Sequence, residues 1–355
     1  MKERELKNDT VHRLFDTSPL DLLRLARRSF NSPRRGEQKG LDPKQRAELA
    51  LMRQDLSHAG PPFTPSSHWQ EVVTGFDALF RREGIANPEE QSYNLRFSGF
   101  ARSDPRLHRY VCWMYYQNLK KRDQLDLLTR LKATCKVEDG FAYMFEGKSI
   151  SLDLLLSIDD FYSLLELVPQ VAKEPIVVGE LGAGWGRLGY VLCRVNPRCT
   201  YVIFDLPEVL VISQNYLPAL LSTSATTRYE MARKHEQLDR STLKKSQLWF
   251  FGPQHMNKFT RGSVDVVVNI ASFQEMPKTY VAKYLEQFSR IAVRGSCFLR
   301  QLRSGKSHGH KFDEIDGFDA YPIPAYWDRV FLRTTTISDE FVEAGYRIGE
   351  QLAGE

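Results

Sequence analysis

The residues best suited to chemistry lie in a glycine-rich stretch in the middle of the chain, VVGELGAGWGR at 177–187. Gly182, Gly184 and Gly186 alternate with other residues after Glu180, a spacing that differs from the G-x-G-x-x-G of dinucleotide sites. Glycines let the backbone approach a ligand closely. A carboxylate here would repel a phosphate and attract a cation, so the stretch predicts a positively charged ligand without phosphate.

A second acidic residue indicates an adenosine group. Asp205 ends the run Tyr-Val-Ile-Phe, 19 positions after Gly186, where a carboxylate can accept both ribose hydroxyls. NAD enzymes use the same arrangement, and Asp205 alone could be the N-cap of a helix that begins at Pro207. Together, Glu180 and Asp205 favour S-adenosylmethionine, which carries an ammonium and a sulfonium, over a dinucleotide.

These residues need a scaffold that brings the ends of separate strands together. In residues 151–355, short β-branched runs alternate with helical stretches, the first of which we interpret as starting with a capping box at Ser157 and Asp160. This alternation predicts an α/β, Rossmann-like, doubly wound fold with a mostly parallel sheet and a ligand at the carboxyl ends of its strands. The predicted strands are 176–178, 201–204, 248–251, 264–269 and 297–302.

Residues 1–150 have helical patterns and form a predicted α-helical accessory region. Large aromatic side chains such as Trp69 and Trp113 need burial there. We therefore expect this region to pack against the sheet domain, residues 151–355, and to help close the substrate pocket. The predicted helices are 20–30, 45–56, 69–80 and 105–119, the last of which continues after a break into 125–131. The proline-rich connector 60–65 lies between the second and the third.

Three motifs in order resemble those of a known family. They are Glu180-Leu-Gly-Ala-Gly-Trp-Gly, Phe204-Asp-Leu-Pro-Glu-Val, and Val264-Asp-Val-Val-Val-Asn-Ile-Ala-Ser-Phe-Gln-Glu-Met. The set resembles class I S-adenosylmethionine-dependent methyltransferases and is similar in particular to the bacterial sugar O-methyltransferases, over residues 140–303. The resemblance implies S-adenosylmethionine as cofactor and, as methyl acceptor, a sugar hydroxyl in a glycan, a glycolipid or a glycosylated metabolite.

The same resemblance implies cofactor contacts at particular positions. It places Glu180, Gly182 and Gly184 at the methionine end, Asp205 at the ribose, Leu206 near the adenine, Phe251 to Gln254 at the adenine edge, and Asn269 and Ile270 beside the sulfonium.

A sugar hydroxyl is protonated at neutral pH, so methyl transfer to it profits from a general base. Glu275 follows the fourth predicted strand and is the favoured base, with capping of the next helix as its structural alternative. His308 and His310 follow the fifth strand and are alternates, because imidazole has a suitable pKa. The catalytic histidine motif of the similar caffeate-type enzymes is not evident.

Other polar and aromatic residues have less specific interpretations. His308 and His310 could bind a metal with Asp313 or Asp316, but the short spacing in a polar loop favours no metal. The aromatic clusters 113–116 and 321–327 favour packing over a sugar-binding platform. Asp328 could bind sugar hydroxyls, and Arg96 and Arg102 could meet an anionic acceptor.

Composition limits the remaining classes. The net charge is +5, and the densest basic cluster, 27–35, is too short for a typical nucleic-acid-binding segment. The charged start of the chain and the absence of a long apolar run predict a cytoplasmic protein without a membrane span, and its five scattered cysteines predict reduced thiols. A homodimer is compatible with these features.

Three alternatives to a sugar O-methyltransferase stay open. The enzyme could methylate a phenol or a polyketide. The chain could be a silent binding protein that keeps the methyltransferase fold. An NAD-dependent oxidoreductase is the more remote alternative.

Overall fold

The structure of the protein is a computed structural model that describes residues 40–85, 104–137, 140–303, 315, 317–336 and 341–350. The predicted helix 20–30 and the basic cluster 27–35 lie outside these residues. The described helices are α1 (Pro43–Ser57), α2 (Ser67–Glu83), α3 (Pro105–Leu119), α4 (Leu127–Arg130), α5 (Leu152–Leu167), α6 (Arg187–Val195), α7 (Pro207–Leu221), α8 (Tyr229–Ala232), α9 (Arg240–Leu243) and α10 (Lys278–Ile291). The strands are β1 (Ala142–Phe145), β2 (Lys148–Ser151), β3 (Val177–Leu181), β4 (Thr200–Phe204), β5 (Thr226–Thr227), β6 (Leu248–Phe251), β7 (Val266–Ile270), β8 (Ser296–Leu302), β9 (Trp327–Thr334) and β10 (Phe341–Ile348).

Eight of the described strands form one sheet in the order β5-β6-β4-β3-β7-β8-β10-β9. Strands β3 to β8 are parallel, whereas β10 pairs antiparallel with both β8 and β9. The strand order reverses between β3 and β7, so the carboxyl ends of these neighbours open a crevice for a ligand. The predicted α/β, Rossmann-like fold class is confirmed.

The two faces of the sheet bury separate hydrophobic clusters. In β4, Tyr201 and Ile203 belong to the cluster shared with α5, α6 and α7, whereas Val202 and Phe204 belong to the cluster shared with α10. Because alternate side chains of a strand point to opposite faces, the central strands are apolar throughout. Helices α1 to α3 extend the first cluster through Met52, Phe80 and Tyr116.

Helix α1 is attached to the beginning of α7 and to α8 by charged side chains. Arg53 donates to Glu208 and to Asp77 of α2, each at 2.7 Å. Asp55 accepts from the guanidinium of Arg233 and from the Tyr229 hydroxyl, the latter at 2.9 Å. The described part of the N-terminal region thus lies over the start of α7, directly after Asp205.

The predicted capping box at Ser157 is wrong. Helix α5 starts earlier, and its N-cap is Ser151, whose hydroxyl oxygen accepts from the Leu154 amide at 3.2 Å. Ser157 lies inside the helix, where its hydroxyl donates to the Asp153 carbonyl at 2.6 Å. A serine bonded to the preceding turn is compatible with a helix interior, so the motif alone could not locate the start.

Several strands depart from the sequence prediction. Strands β1 and β2 form a hairpin within the region predicted to be helical. Strands β5, β9 and β10 were not predicted. The predicted break in the helical segment 105–131 is confirmed, because α3 ends at Leu119 and α4 covers a single turn from Leu127 to Arg130.

Candidate active site

The turn between β3 and α6 requires glycine. Gly182, Gly184 and Gly186 have φ values of 73°, 61° and 90°, a region that side chains disfavour. A β-carbon at Gly182 would collide with the Ser272 hydroxyl in the loop after β7, and one at Gly186 would lie 2.7 Å from Leu217 of α7. The turn is therefore packed between the loop after β7 and helix α7.

Asp205 closes this turn from the end of β4. One carboxylate oxygen accepts from the Gly184 amide at 2.9 Å, and the other accepts from the Leu206 amide at 2.8 Å. Helix α7 has Leu206 as its N-cap residue and no side-chain cap, so the alternative role of Asp205 as a helix cap is wrong. Asp205 ties the glycine turn to β4 instead.

Two carboxyl groups at this edge, those of Glu180 and Asp205, are buried and belong to no ion pair within the described residues. Burial raises the pKa of Glu180 to about 8, although Arg187 lowers it, and the Tyr201 hydroxyl donates to the same carboxyl. Burial also raises the pKa of Asp205 to about 7, against the lowering effect of its two backbone donors and with a further raising effect from Glu275. A bound cation would favour the ionised forms of both groups, whereas a phosphate would not.

Helix α5 holds the glycine turn from behind. Asp153 accepts from the Trp185 indole at 2.8 Å, and Asp160 pairs with Arg187 at 2.7 Å. Both carboxylates are buried, and Trp185 and Arg187 are the residues that flank Gly186. The sequence analysis missed this network, although three aspartates in one strongly apolar helix were a usable signal.

The same helix carries an ionic cluster that joins it to β8 and β10. Arg300 of β8 pairs with Asp159 and Asp160 and lies 3.6 Å from Glu343 of β10. Arg122 adds a second partner for Asp159 at 2.8 Å. Buried charges are tolerated when they are paired, so this cluster connects α5 to the sheet without leaving these two aspartates unpaired.

The Asn269 side chain organises the loop after β7. Its amide nitrogen donates to the Leu181 carbonyl at 2.9 Å and to the Ser272 hydroxyl at 2.5 Å. Its amide oxygen accepts from the Phe273 amide at 3.1 Å and from the Gln301 side chain at 2.7 Å. These four bonds use the capacity of the amide, so a cofactor contact at this position would involve its backbone.

The predicted adenine residues differ in accessibility. The Phe251 ring is fully buried and stacks on Phe204, with ring centroids 5.9 Å apart. Leu206 is partly exposed. The side-chain amide of Gln254 lies over Gly252, and within the described residues neither of its polar atoms has a hydrogen-bond partner. Leu206 is therefore accessible to a ligand, whereas the Phe251 ring and both polar atoms of the Gln254 amide are buried.

Glu275 is held by the N-terminal region and not by the helix that follows it. The Trp69 indole donates to its carboxylate at 2.9 Å, and the Ser66 hydroxyl donates to its carbonyl at 2.9 Å. Helix α10 begins at Lys278 without a side-chain cap, so the capping alternative for Glu275 is wrong. Glu275 contributes to the raised pKa values of Asp205 and Tyr321, so its carboxylate lies close to the carboxyl ends of the strands.

The late aromatic cluster divides between the site and the packing of the sheet. Tyr321 is buried beside Phe273, with ring centroids 6.4 Å apart, and is near enough to Glu275 for electrostatic interaction. Trp327 is 5% exposed and donates to Ser289 of α10, as the packing alternative predicts. Trp113 is 46% exposed on α3.

Several predicted residues lie outside the described part of the chain, and they include both alternate bases. In the part that is described, no three His, Cys, Asp or Glu side chains are grouped as metal ligands. Over the same residues, no helix is both long and apolar enough to cross a bilayer. The cysteines are free and buried. The residues outside the description are His308, His310, Asp313, Asp316, Arg96 and Arg102.

No protein-family model matches the chain, and no curated protein matches its sequence. Among solved structures, it is similar to a SAM-dependent methyltransferase from Aquifex aeolicus at 14% identity and a TM-score of 0.37, over 54% of this chain and 89% of that one. It is also similar to the N-methyltransferase NodS from Bradyrhizobium japonicum, in complex with S-adenosylhomocysteine, at 11% identity and a TM-score of 0.36, over 54% and 86%. A third is the geranyl diphosphate C-methyltransferase from Streptomyces coelicolor, at 11% identity and a TM-score of 0.37, over 56% and 81%.

Proposed function

We propose that this protein is an S-adenosylmethionine-dependent O-methyltransferase that acts on a sugar hydroxyl. The observation that carries the proposal is a pair of buried carboxyl groups, Glu180 and Asp205, that lies beside the glycine turn. No ion pair within the described residues neutralises either group. A cationic ligand that contains a ribose would satisfy both groups, and a pyrophosphate would not.

The described residues could bind the adenine, ribose and methionine parts of the cofactor in order across the crevice. Each carboxylate oxygen of Asp205 accepts one backbone hydrogen bond and keeps a second lone pair for a ribose hydroxyl. Leu206, which is partly exposed, and Gln254 would contact the adenine. Glu180, Gly182 and Gly184 would line the methionine end. The backbone of Asn269 and Ile270 would border the sulfonium.

Glu275 is the proposed general base. Bound S-adenosylmethionine would supply an electrophilic methyl carbon on its sulfonium. Glu275 would accept the proton of the acceptor hydroxyl as the acceptor oxygen forms its bond to that carbon, while the electrons of the broken carbon–sulfur bond pass to sulfur. His308 and His310 are the alternate bases.

The N-terminal region is proposed to close the acceptor pocket. Residues 62–69 lie over the loop after β7: the Tyr284 hydroxyl donates to the Pro62 carbonyl at 3.2 Å, and Ser66 and Trp69 hold Glu275. Enclosure excludes water and aligns the two reactants, which is most of what an in-line methyl transfer needs. Among the described groups, Asp205 and Glu275 make this edge acidic, which favours a neutral hydroxyl over an anionic acceptor.

Two measurements test the proposal in sequence. Calorimetry should show binding of S-adenosylmethionine and S-adenosylhomocysteine and no binding of NAD; tight NAD binding without S-adenosylmethionine binding would overturn it. Incubation with S-adenosylmethionine and an extract of the native organism's glycans and metabolites should then add one methyl group to a sugar, detected by mass spectrometry. Methylation of a phenol or polyketide instead would contradict the proposed sugar acceptor and would leave the proposed cofactor unchanged.

A further inference from the structure

Trp69 joins two parts of the chain that lie 206 positions apart. Its indole N–H donates to Oε2 of Glu275 at 2.9 Å. The Ser66 hydroxyl oxygen accepts from the Trp69 amide at 3.4 Å at the start of α2, and the same hydroxyl donates to the Glu275 carbonyl. The first turn of α2 thus holds both the backbone and the carboxylate of one residue.

The groups near Glu275 have opposite effects on the ionisation of its carboxyl group. From β4, the Asp205 carboxyl interacts unfavourably with an ionised Glu275, and from the segment before β9 the Tyr321 hydroxyl faces it. Lys278, at the start of α10, is exposed. From α2, the indole N–H is a neutral donor that hydrogen-bonds the ionised carboxylate and favours that form.

We propose that Trp69 is the positioning residue of the catalytic base: its N–H orients the Glu275 carboxylate toward the acceptor and keeps it ionised beside Asp205. This inference rests on the proposed role of Glu275. A neutral donor suits the position, because an arginine or lysine would pair with the carboxylate and weaken it as a base. The described N-terminal region would then contribute to catalysis through this contact, in addition to closing the acceptor pocket.

The substitution Trp69→Phe tests the proposal, because it keeps an aromatic ring and removes the N–H. The ionised form of Glu275 loses the hydrogen bond from the Trp69 indole, so the acidic limb of the pH profile of turnover should move up by about one pH unit. At about pH 6 methyl transfer into the extract should fall by about tenfold, at about pH 8.5 it should stay within about twofold, and the KM for S-adenosylmethionine should be unchanged. The matched control is Trp113→Phe, at the exposed indole of α3, which should leave the profile unchanged.

A second measurement does not depend on turnover. In a spectrum of ¹⁵N-labelled protein, the Trp69 indole signal, identified by its loss in Trp69→Phe, should shift as the pH is raised through the ionisation of Glu275. Glu275→Gln should abolish that shift. An indole signal that ignores Glu275→Gln, or an unmoved acidic limb in a folded Trp69→Phe variant, would overturn the inference. Failure of the wild type to bind S-adenosylmethionine would instead overturn the proposed function, and the indole titration would still decide the pairing.

Discussion

Buried carboxyl groups occur in two neighbouring regions of this protein and have different surroundings. On α5, Asp159 and Asp160 share Arg300, and each has a second arginine, Arg122 or Arg187. At the carboxyl ends of β3 and β4, Glu180 and Asp205 are equally buried, yet their hydrogen bonds come from a tyrosine and from backbone amides. No ion pair within the described residues includes either of them.

The difference separates a structural role from a binding role. Burial costs each carboxylate its hydration, and arginines compensate for that cost on α5. At the edge of the sheet no ion pair among the described residues does so, although Arg187 acts on Glu180 from a distance, and the pKa values of Glu180 and Asp205 rise to about 8 and about 7. The edge pair is therefore suited to receive a cation from outside, at the position where the glycine turn admits a ligand.

The largest effect is expected on the α5 side of the comparison. Arg300→Met removes the partner that Asp159 and Asp160 share, and leaving buried charges underpaired should lower the free energy of unfolding by about 3–5 kcal/mol. Urea unfolding measures the loss. Arg294→Met, at an arginine 77% exposed, is the control and should stay within about 0.5 kcal/mol. Equal losses of unfolding free energy in the two variants would show that the α5 cluster has no special structural role.

The next effect concerns turnover at the edge. Glu275→Gln should lower methyl transfer by about 10²-fold, the scale of a lost general base, while the melting temperature and the affinity for S-adenosylmethionine stay near wild type. Glu286→Gln, on the exposed side of α10, makes the same chemical change away from the crevice. Normal turnover in Glu275→Gln, with loss in His308→Ala or His310→Ala, would move the base to the loop after β8.

The same change, from aspartate to asparagine, can be made in both regions to separate binding from stability. Asp205→Asn should weaken S-adenosylmethionine binding by about tenfold or more, because charge-assisted bonds to the ribose are lost; it removes one of two backbone acceptors, so its loss of stability should be smaller than that of Asp159→Asn. Asp159→Asn should do the reverse, since it breaks pairs with Arg122 and Arg300 and lies behind the site. Calorimetry and urea unfolding separate the two effects, and the reversed pattern would refute the division of roles.

A pH dependence of stability has the smallest effect per pH unit. The folded state holds the Glu180 proton up to about pH 8, whereas the unfolded chain releases it near the ordinary value of 4.5. Unfolding therefore releases a proton between these values, and this contribution to stability falls as the pH rises, by at most about 1.4 kcal/mol per pH unit. Glu180→Gln should flatten this part of the unfolding profile. A slope that is unchanged in Glu180→Gln would show that Glu180 does not carry it.

The comparison with the sequence prediction shows where local patterns were sufficient. Periodicity located five of the six described parallel strands within about three residues, because β-branched runs that are buried on both faces have few alternatives, and it missed the two-residue β5. The glycine spacing located a turn that does require positive φ. The start of α5 was misplaced, because a serine followed three residues later by an acid occurs in helix interiors as well as at their ends. The contacts of the cofactor residues and the boundary near residue 150 remain predictions.

Spacing within short windows of the sequence was sufficient for the α/β class, for five of the parallel strands and for the glycine turn between β3 and α6. The partners of the residues at this edge depend on tertiary packing. It paired Asp159 and Asp160 with Arg300, about 140 positions away, used the whole Asn269 amide inside the protein, and brought Trp69 to Glu275. Such partners depend on how helices pack across a sheet, and no periodicity along the chain encodes which distant side chain will meet a buried charge.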